Sequence, residues 1–278
     1  MDNVTTRGVL MKRIIVLGLL AIAVVVFLSM QSRAEIYVGT RSKASVAVEN
    51  VDHSTWNQLL QKYVDDDGLI AYKDWHGNQH DRKALEEYLN QLSDAGSGPS
   101  TPKSARLAFW INAYNALTVY GILREYPTSS IRNHTSRLGG YNIWEHLQLY
   151  VDGTPHSLNQ IEHEILRKMK EPRIHFAIVC ASIGCPRLLN KAYIPERLEE
   201  QLEANARDFF TRPGNFQSEP GRIQLSSILK WFAEDFGPDR NNQQATIAQW
   251  LSDEAAQQMI NPDTKISYLD YDWALNER

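Results

Sequence analysis

Between Arg106 and Arg124 the chain reads RLAFWINAYNALTVYGILR, and its apolar residues fall on every side of a 3.6-residue period instead of on one stripe. A helix that is apolar all round is packed all round, so this segment is predicted to be a buried central helix. Amphipathic spacing predicts further helices behind Ser54 (Trp56, Leu59, Leu60, Tyr63, Val64), around Leu85 to Leu92, and from Ser157 through Met169, where Ser157 and Gln160 match a capping box. Others are predicted over 196–210 after Pro195, 226–236 and 244–259. Short apolar runs predict strands over 69–72 and 174–180, at Ile223 and Leu225, and over 265–271, with a hairpin over 147–156 turning at Asp152-Gly153. Helices outnumber short strands. The expected class is α+β, a mainly helical single domain with a buried central helix and a small, largely antiparallel sheet.

The N-terminus departs from this pattern. Lys12 and Arg13 precede the unbroken apolar run 14–28, and Ser32-Arg33-Ala34 follows as a small-x-small cleavage signature, which reads as a secretory signal peptide over residues 1–34. An uncleaved membrane anchor is the alternative, because the run is only slightly short of a bilayer span. Either reading places the rest of the chain outside the cytoplasm, in the periplasm or an equivalent compartment. Residues 35–45 are polar and aperiodic and read as a linker, leaving 46–278 as one globular domain. The segment 128–144, with Gly139-Gly140 as a turn, reads as a long irregular connection.

Charge and composition narrow the function classes. A net charge of −4 with 43% hydrophobic residues describes an ordinary globular protein and excludes a basic nucleic-acid surface. The three aspartates at 65–67 lack the spaced ligands and closing glutamate of a calcium loop and read as a solvated turn. No metal and no cofactor is called for; the expected partner is a small-molecule or peptide ligand, with membrane contact only through an uncleaved N-terminal segment.

The chemistry-bearing residues concentrate in the second half of the domain. Cys180 and Cys185, the only two cysteines, stand five apart in CASIGCP. In an oxidising compartment they can pair as a disulfide; alternatively Cys180 is a nucleophile at the end of a rigid element; metal ligation is a third reading, weakened by the lack of a second cysteine pair. His163 and His175 are the candidate bases. Strand alternation over 174–180 would put His175 and Cys180 on opposite faces, which favours His163, while Glu162 and Glu164 project away from it on a regular helix. Within the central helix Asn112 and Asn115 lie three apart on one face, and each buried amide needs partners, either as a site group orienting the base or as a tether for a loop. Arg173 and Arg187 are candidate ligands for an anionic substrate group. Asp272 in the terminal YDWALN is a further carboxylate, read first as a cap or ion-pair partner.

FWINAYNAL, SLNQIEHEILR, RIHFAIVCASIGCP and WFAEDF, taken in order from Phe109 to Phe236, resemble the family known as domain of unknown function 547. The likeness extends from about Ser54 to the terminal SYLDYDWALN. Members of that family include exported bacterial proteins and domains of plant and animal chains, some beside glutaredoxin-like domains, which hints at thiol chemistry. A buried helix preceding a segment with His and Cys is also loosely similar to papain-like and transglutaminase-like folds. Those carry the nucleophilic cysteine at the start of the central helix, where this chain has none, so their triad does not transfer. The resulting expectation is a thiol-dependent hydrolase or acyltransferase acting on a small amide, ester or thioester through Cys180, His163 or His175, Asn112 and Asn115. The competing one is a non-catalytic binding module fixed by a Cys180–Cys185 disulfide.

Overall fold

The computed structural model describes residues 35–136 and 140–278; the signal-peptide or anchor segment 1–34 and Gly139 of the expected turn lie outside the described residues. The helices are α1 (Ser54–Tyr63), α2 (Tyr72–Gly77), α3 (Gln79–Ser93), α4 (Lys103–Glu125), α5 (Ile143–His146), α6 (Leu158–Gln160), α7 (Leu198–Thr211), α8 (Ser227–Trp231), α9 (Ala233–Phe236), α10 (Arg240–Ala248) and α11 (Asp253–Ile260). The class is α+β and mainly helical. As the all-round apolar pattern requires, α4 is the central helix: Phe109, Ile111, Ala113, Ala116, Leu117 and Ile122 are wholly buried, along with Asn112, Asn115 and Thr118. It runs from Pro102, which fixes the entry, to Tyr126 ahead of Pro127.

The strands are β1 (Ile36–Val38), β2 (Val46–Ala47), β3 (Ala95–Gly96), β4 (Leu147–Val151), β5 (Thr154–Ser157), β6 (Phe216–Glu219), β7 (Arg222–Leu225) and β8 (Lys265–Tyr268). They form three small sheets in place of one. The hairpin β4–β5 turns at Asp152-Gly153, both at positive φ as a two-residue hairpin turn demands. β1 adds to β4 in parallel, so the stretch read as a linker carries a paired strand: Val38 is buried and its backbone completes the edge of β4. β7 likewise pairs antiparallel with β6 and parallel with β8.

Several predicted elements change form, among them the helix predicted over 226–236, which is two, α8 and α9, separated at Phe232. At 69–72 only Ile70 makes bridges, because Tyr72 already opens α2. The helix predicted over 244–259 is two, since Ser252 caps α11 by accepting from Ala255 N–H and interrupts the run. The strand predicted over 174–180 is a 3₁₀ turn, Pro172–Phe176, followed by an unpaired extended segment. Its apolar residues reflect burial and not sheet pairing, and Asn115 of α4 supplies the bonds a neighbouring strand would: its Nδ2 donates to the Ala177 carbonyl at 2.9 Å and its Oδ1 accepts from Val179 N–H at 2.9 Å.

Two hydrophobic clusters result. The larger surrounds α4; the second gathers Phe176, Phe209, Phe210, Phe236 and Trp250 between α7, α9 and β7. The stretch 174–185 contributes residues to both, with Ile178 and Val179 in the first and Phe176 in the second.

Candidate functional site

The helix opened by Ser157 starts as expected, with both bonds of the capping box in place. It then widens into a π-turn over Ile161–Leu166 and tightens into a 3₁₀ turn at Arg167–Met169. Such π-turns insert one residue into the helical register and recur at functional sites. Here Glu162 is turned inward, where it accepts a hydrogen bond from Tyr114 Oη of α4 at 3.1 Å. Burial pushes its carboxyl up to about 7, against which the Tyr114 hydroxyl and the more distant Arg167 work only weakly.

The cysteine loop is held from two sides. Asn115 fixes the approach up to Val179, and the terminal segment then runs along the turn: Ile183 N–H donates to Ala274 O, Gly184 N–H to Asp272 O, and Asn276 N–H to Ala181 O. Gly184 is required there, because a Cβ would stand 3.0 Å from the backbone N and O of Asp272. Ala181 takes a left-handed conformation at φ 57°, costly for a residue with a Cβ, directly after Cys180. The turn brings Cys185 back over Cys180, their Sγ atoms 2.6 Å apart, longer than a disulfide bond and closer than two unbonded thiols come to rest. Tyr271 Oη lies 3.2 Å from Cys180 Sγ and 3.0 Å from Cys185 Sγ.

These contacts divide the two sulfurs. The Cys185 thiol beside it, opposed by burial and helped by the Tyr271 hydroxyl, holds the Cys180 thiol below its ordinary value. Burial pushes Cys185 well above. The directions make Cys180 the more acidic sulfur of the two, with Cys185 Sγ and Tyr271 Oη within hydrogen-bond reach of it.

A cavity of ≈ 270 Å³ opens over this group, lined by Cys180, Cys185, Glu162, His163, His175 and an aromatic wall. The two histidines thus share a cavity with Cys180, and the opposite faces expected from strand alternation do not arise because there is no strand. One ring nitrogen of each is engaged by a residue other than the cysteines. His175 is buried, lies 4.2 Å from the Phe232 ring in a stacked arrangement, and bonds through Nε2 to Asp235 at 2.7 Å. Burial lowers its pKa despite that carboxylate. Burial works against the charge of Asp235 as well, yet the His175 and Arg167 donors outweigh it and hold the carboxyl at about 2. His163 has its Nδ1 3.0 Å from Arg167 Nη1, and burial followed by that guanidinium lowers its pKa.

The remaining sequence candidates are placed outside the cavity. Asn112 spends both halves of its amide on Tyr193, donating to its carbonyl at 2.7 Å and accepting from its N–H at 2.9 Å, and Asn115 is spent as described. Both are tethers. Arg173 is held by Glu171 and Glu199, and Arg187 by Asn205, Asp208 and the Asp66 carbonyl, so neither is free for an anionic ligand. Their guanidinium groups find acids brought near by the fold, which no local spacing announces. Asp272 accepts from Ala274 N–H and is a turn residue. Residues that sequence reasoning passed over are Glu162, Tyr114, Asp235 and Tyr271. Among the described residues no three His, Cys, Asp or Glu side chains are placed to hold a metal ion, and no helix is long and apolar enough to cross a membrane.

No curated protein and no solved structure matches the chain. A family model described as "Protein of unknown function, DUF547" matches residues 99–210, the stretch that carries the central helix, Glu162, both cavity histidines and both cysteines, and it is that stretch which belongs to the family.

Proposed function

We propose that the cavity performs thiol-dependent acyl transfer or hydrolysis on a small amide, ester or thioester, with Cys180 as nucleophile. The observation that carries this reading is the placing of Cys180, with Cys185 Sγ and Tyr271 Oη close to its sulfur, in one cavity with Glu162, whose carboxyl is pushed up to about 7. The Cys180 thiolate attacks the carbonyl carbon, forming a C–S bond; as the bond to the leaving group breaks, that group takes the Glu162 proton. Water or an acceptor then attacks the thioester, returns a proton to the Glu162 carboxylate and releases Cys180. Glu162 takes the role first assigned to a histidine, since a general acid and base works best with a pKa near the operating pH. His175 and Asp235 hold the wall of the cavity. The N-terminal pattern supports action outside the cytoplasm.

The test is turnover of a panel of small esters and thioesters, with acyl-enzyme trapped and weighed. Cys180→Ala is expected to remove turnover and the adduct, and Glu162→Gln to lower turnover by about 10²-fold or more. Full activity in Cys180→Ala would sink the proposal. The closeness of the two sulfurs favours one other reading, a binding module in which they are bridged and no turnover occurs. Isolation of the protein with a stable Cys180–Cys185 disulfide and no esterase or thioesterase activity after reduction would establish that reading instead.

A further inference from the structure

The wall of the Cys180 cavity is unusual in what it leaves exposed. Trp231, at the end of α8, is 49% exposed although its ring lies 4.9 Å from that of Tyr271 and 5.9 Å from that of Trp273. Trp144 meets Trp273 edge-on at 6.2 Å. Four aromatic rings from three separate parts of the chain therefore form one continuous surface at the cavity. A Trp left half in water forgoes burial that would stabilise the fold, and such surfaces mark contact with a ligand.

The polar groups of the same cavity give the sign of that ligand. Glu145 and Glu162 line it, and among the described residues no Lys or Arg lines it. Its histidines sit below their ordinary pKa because of burial. The guanidinium of Arg167, which lies over the Phe232 ring of the lining, is taken up by Asp235 and Glu234. Arg132, outside the lining, packs its guanidinium over the Trp273 ring at 5.2 Å and takes up that ring face, which leaves Trp144, Trp231 and Tyr271 as the open rings. The ring quadrupole attracts cations within about 6 Å of its centroid, and adjacent carboxylates add to that attraction while opposing an anion.

We infer that the cavity selects substrates carrying an ammonium group next to the reacting carbonyl, seated on the Trp144, Trp231 and Tyr271 surface beside Glu145, and rejects anionic substrates of the same shape. This rests on Cys180 being the reactive group and adds the charge class of what reaches it.

The experiment uses a matched pair of irreversible alkylating agents, 2-bromoethyltrimethylammonium and 2-bromoethanesulfonate, on the reduced protein. In each reaction the Cys180 sulfur forms a thioether and bromide leaves. Rates at Cys180 are followed by peptide mass spectrometry, and the cation-to-anion ratio is compared with that of 2-mercaptoethanol, a neutral thiol. The expected ratio at Cys180 exceeds the reference by about tenfold or more, the size of one desolvated cation–π contact. Trp231→Leu, at an exposed position and without change of charge, is expected to remove most of the excess, which separates the ring surface from the general attraction of an acidic protein. Glu145→Gln is expected to reduce it further. A ratio equal to the reference, or an excess that survives Trp231→Leu, overturns the inference and leaves the nucleophile standing. If neither agent modifies Cys180, the nucleophile falls and the inference falls with it.

Discussion

Replacing Glu162 with Gln keeps a side chain of the same shape, still able to accept from Tyr114 Oη, and removes a titration. In the folded protein Glu162 ionises at about 7, whereas its ordinary value is 4.5. Below the ordinary value the carboxyl is protonated in both states, and the tighter hold of the folded state on that proton contributes its full stabilisation. As pH rises the unfolded chain releases the proton first, and the contribution is gone once pH passes about 7. At about 1.4 kcal/mol for each tenfold change, the amount lost is about 3 kcal/mol. Urea unfolding followed by tryptophan fluorescence from about pH 4 to about pH 8 reads this directly when wild type is compared with Glu162→Gln. The wild-type stability minus that of the variant is expected to fall by about 3 kcal/mol across the interval, with the variant the more stable protein at the alkaline end. Parallel profiles would mean that Glu162 ionises at its ordinary value and is solvated. The proton-transfer role would then lose its physical basis, whatever the variant did to turnover.

Asn115→Ala leaves the Ala177 carbonyl and the Val179 N–H buried without their partner, and is expected to cost about 2–4 kcal/mol in unfolding free energy; a variant as stable as wild type would show that the amide is not a tether. Tyr271→Phe removes a donor 3.2 Å from Cys180 Sγ, so the midpoint of Cys180 alkylation against pH is expected to move upward, and an unmoved midpoint would assign the activation to Cys185 alone. Asp235→Asn withdraws the charge that Arg167 and His175 bond, and a loss of about 1–3 kcal/mol is expected in thermal or urea unfolding. Because Asp235 is held at about 2 in the folded state, that difference should shrink as pH falls from the ordinary carboxylate range toward 2; a difference independent of pH would exclude the ion pair as its cause.

The fold was legible where periodicity is set by burial on one element. The central helix, the hairpin at Asp152-Gly153, the capping box at Ser157 and the helix after Pro195 all appear at the expected places, because caps, turn residues and apolar stripes are local. Legibility ended where pairing is non-local. Ile36–Val38 looks aperiodic alone and becomes a strand only because β4 offers an edge. The run over 174–180 looks like a buried strand, yet its partner is the amide of Asn115, 62 positions earlier in the chain. The sequence likeness extends to the C-terminus, whereas the family model ends at residue 210; Tyr271 and Trp231, which line the cavity, and Asp235, which bonds His175, lie beyond that match.

The site itself was half legible, for one reason. Residue types drew attention to Cys180, His163 and His175, and the fold does gather them at one cavity. Their side-chain directions differ from the ones that ideal periods give. A regular helix sends Glu162 away from its neighbours, and a regular strand sends His175 away from Cys180. The π-turn over Ile161–Leu166 and the 3₁₀ turn over Pro172–Phe176 break both rules in adjacent elements. Each irregularity brings an ionisable side chain to the cavity wall, and each is held by packing against α4 or the Phe232 ring. Departures from ideal geometry persist only where surrounding contacts over-determine them. The same contacts that hold these turns bury Glu162 and raise its pKa. A substitution that restored regular helical register over 161–166 would therefore turn Glu162 toward water and return its carboxyl to the ordinary range, while the thiols, held by Asn115 and the terminal segment, stayed where they are.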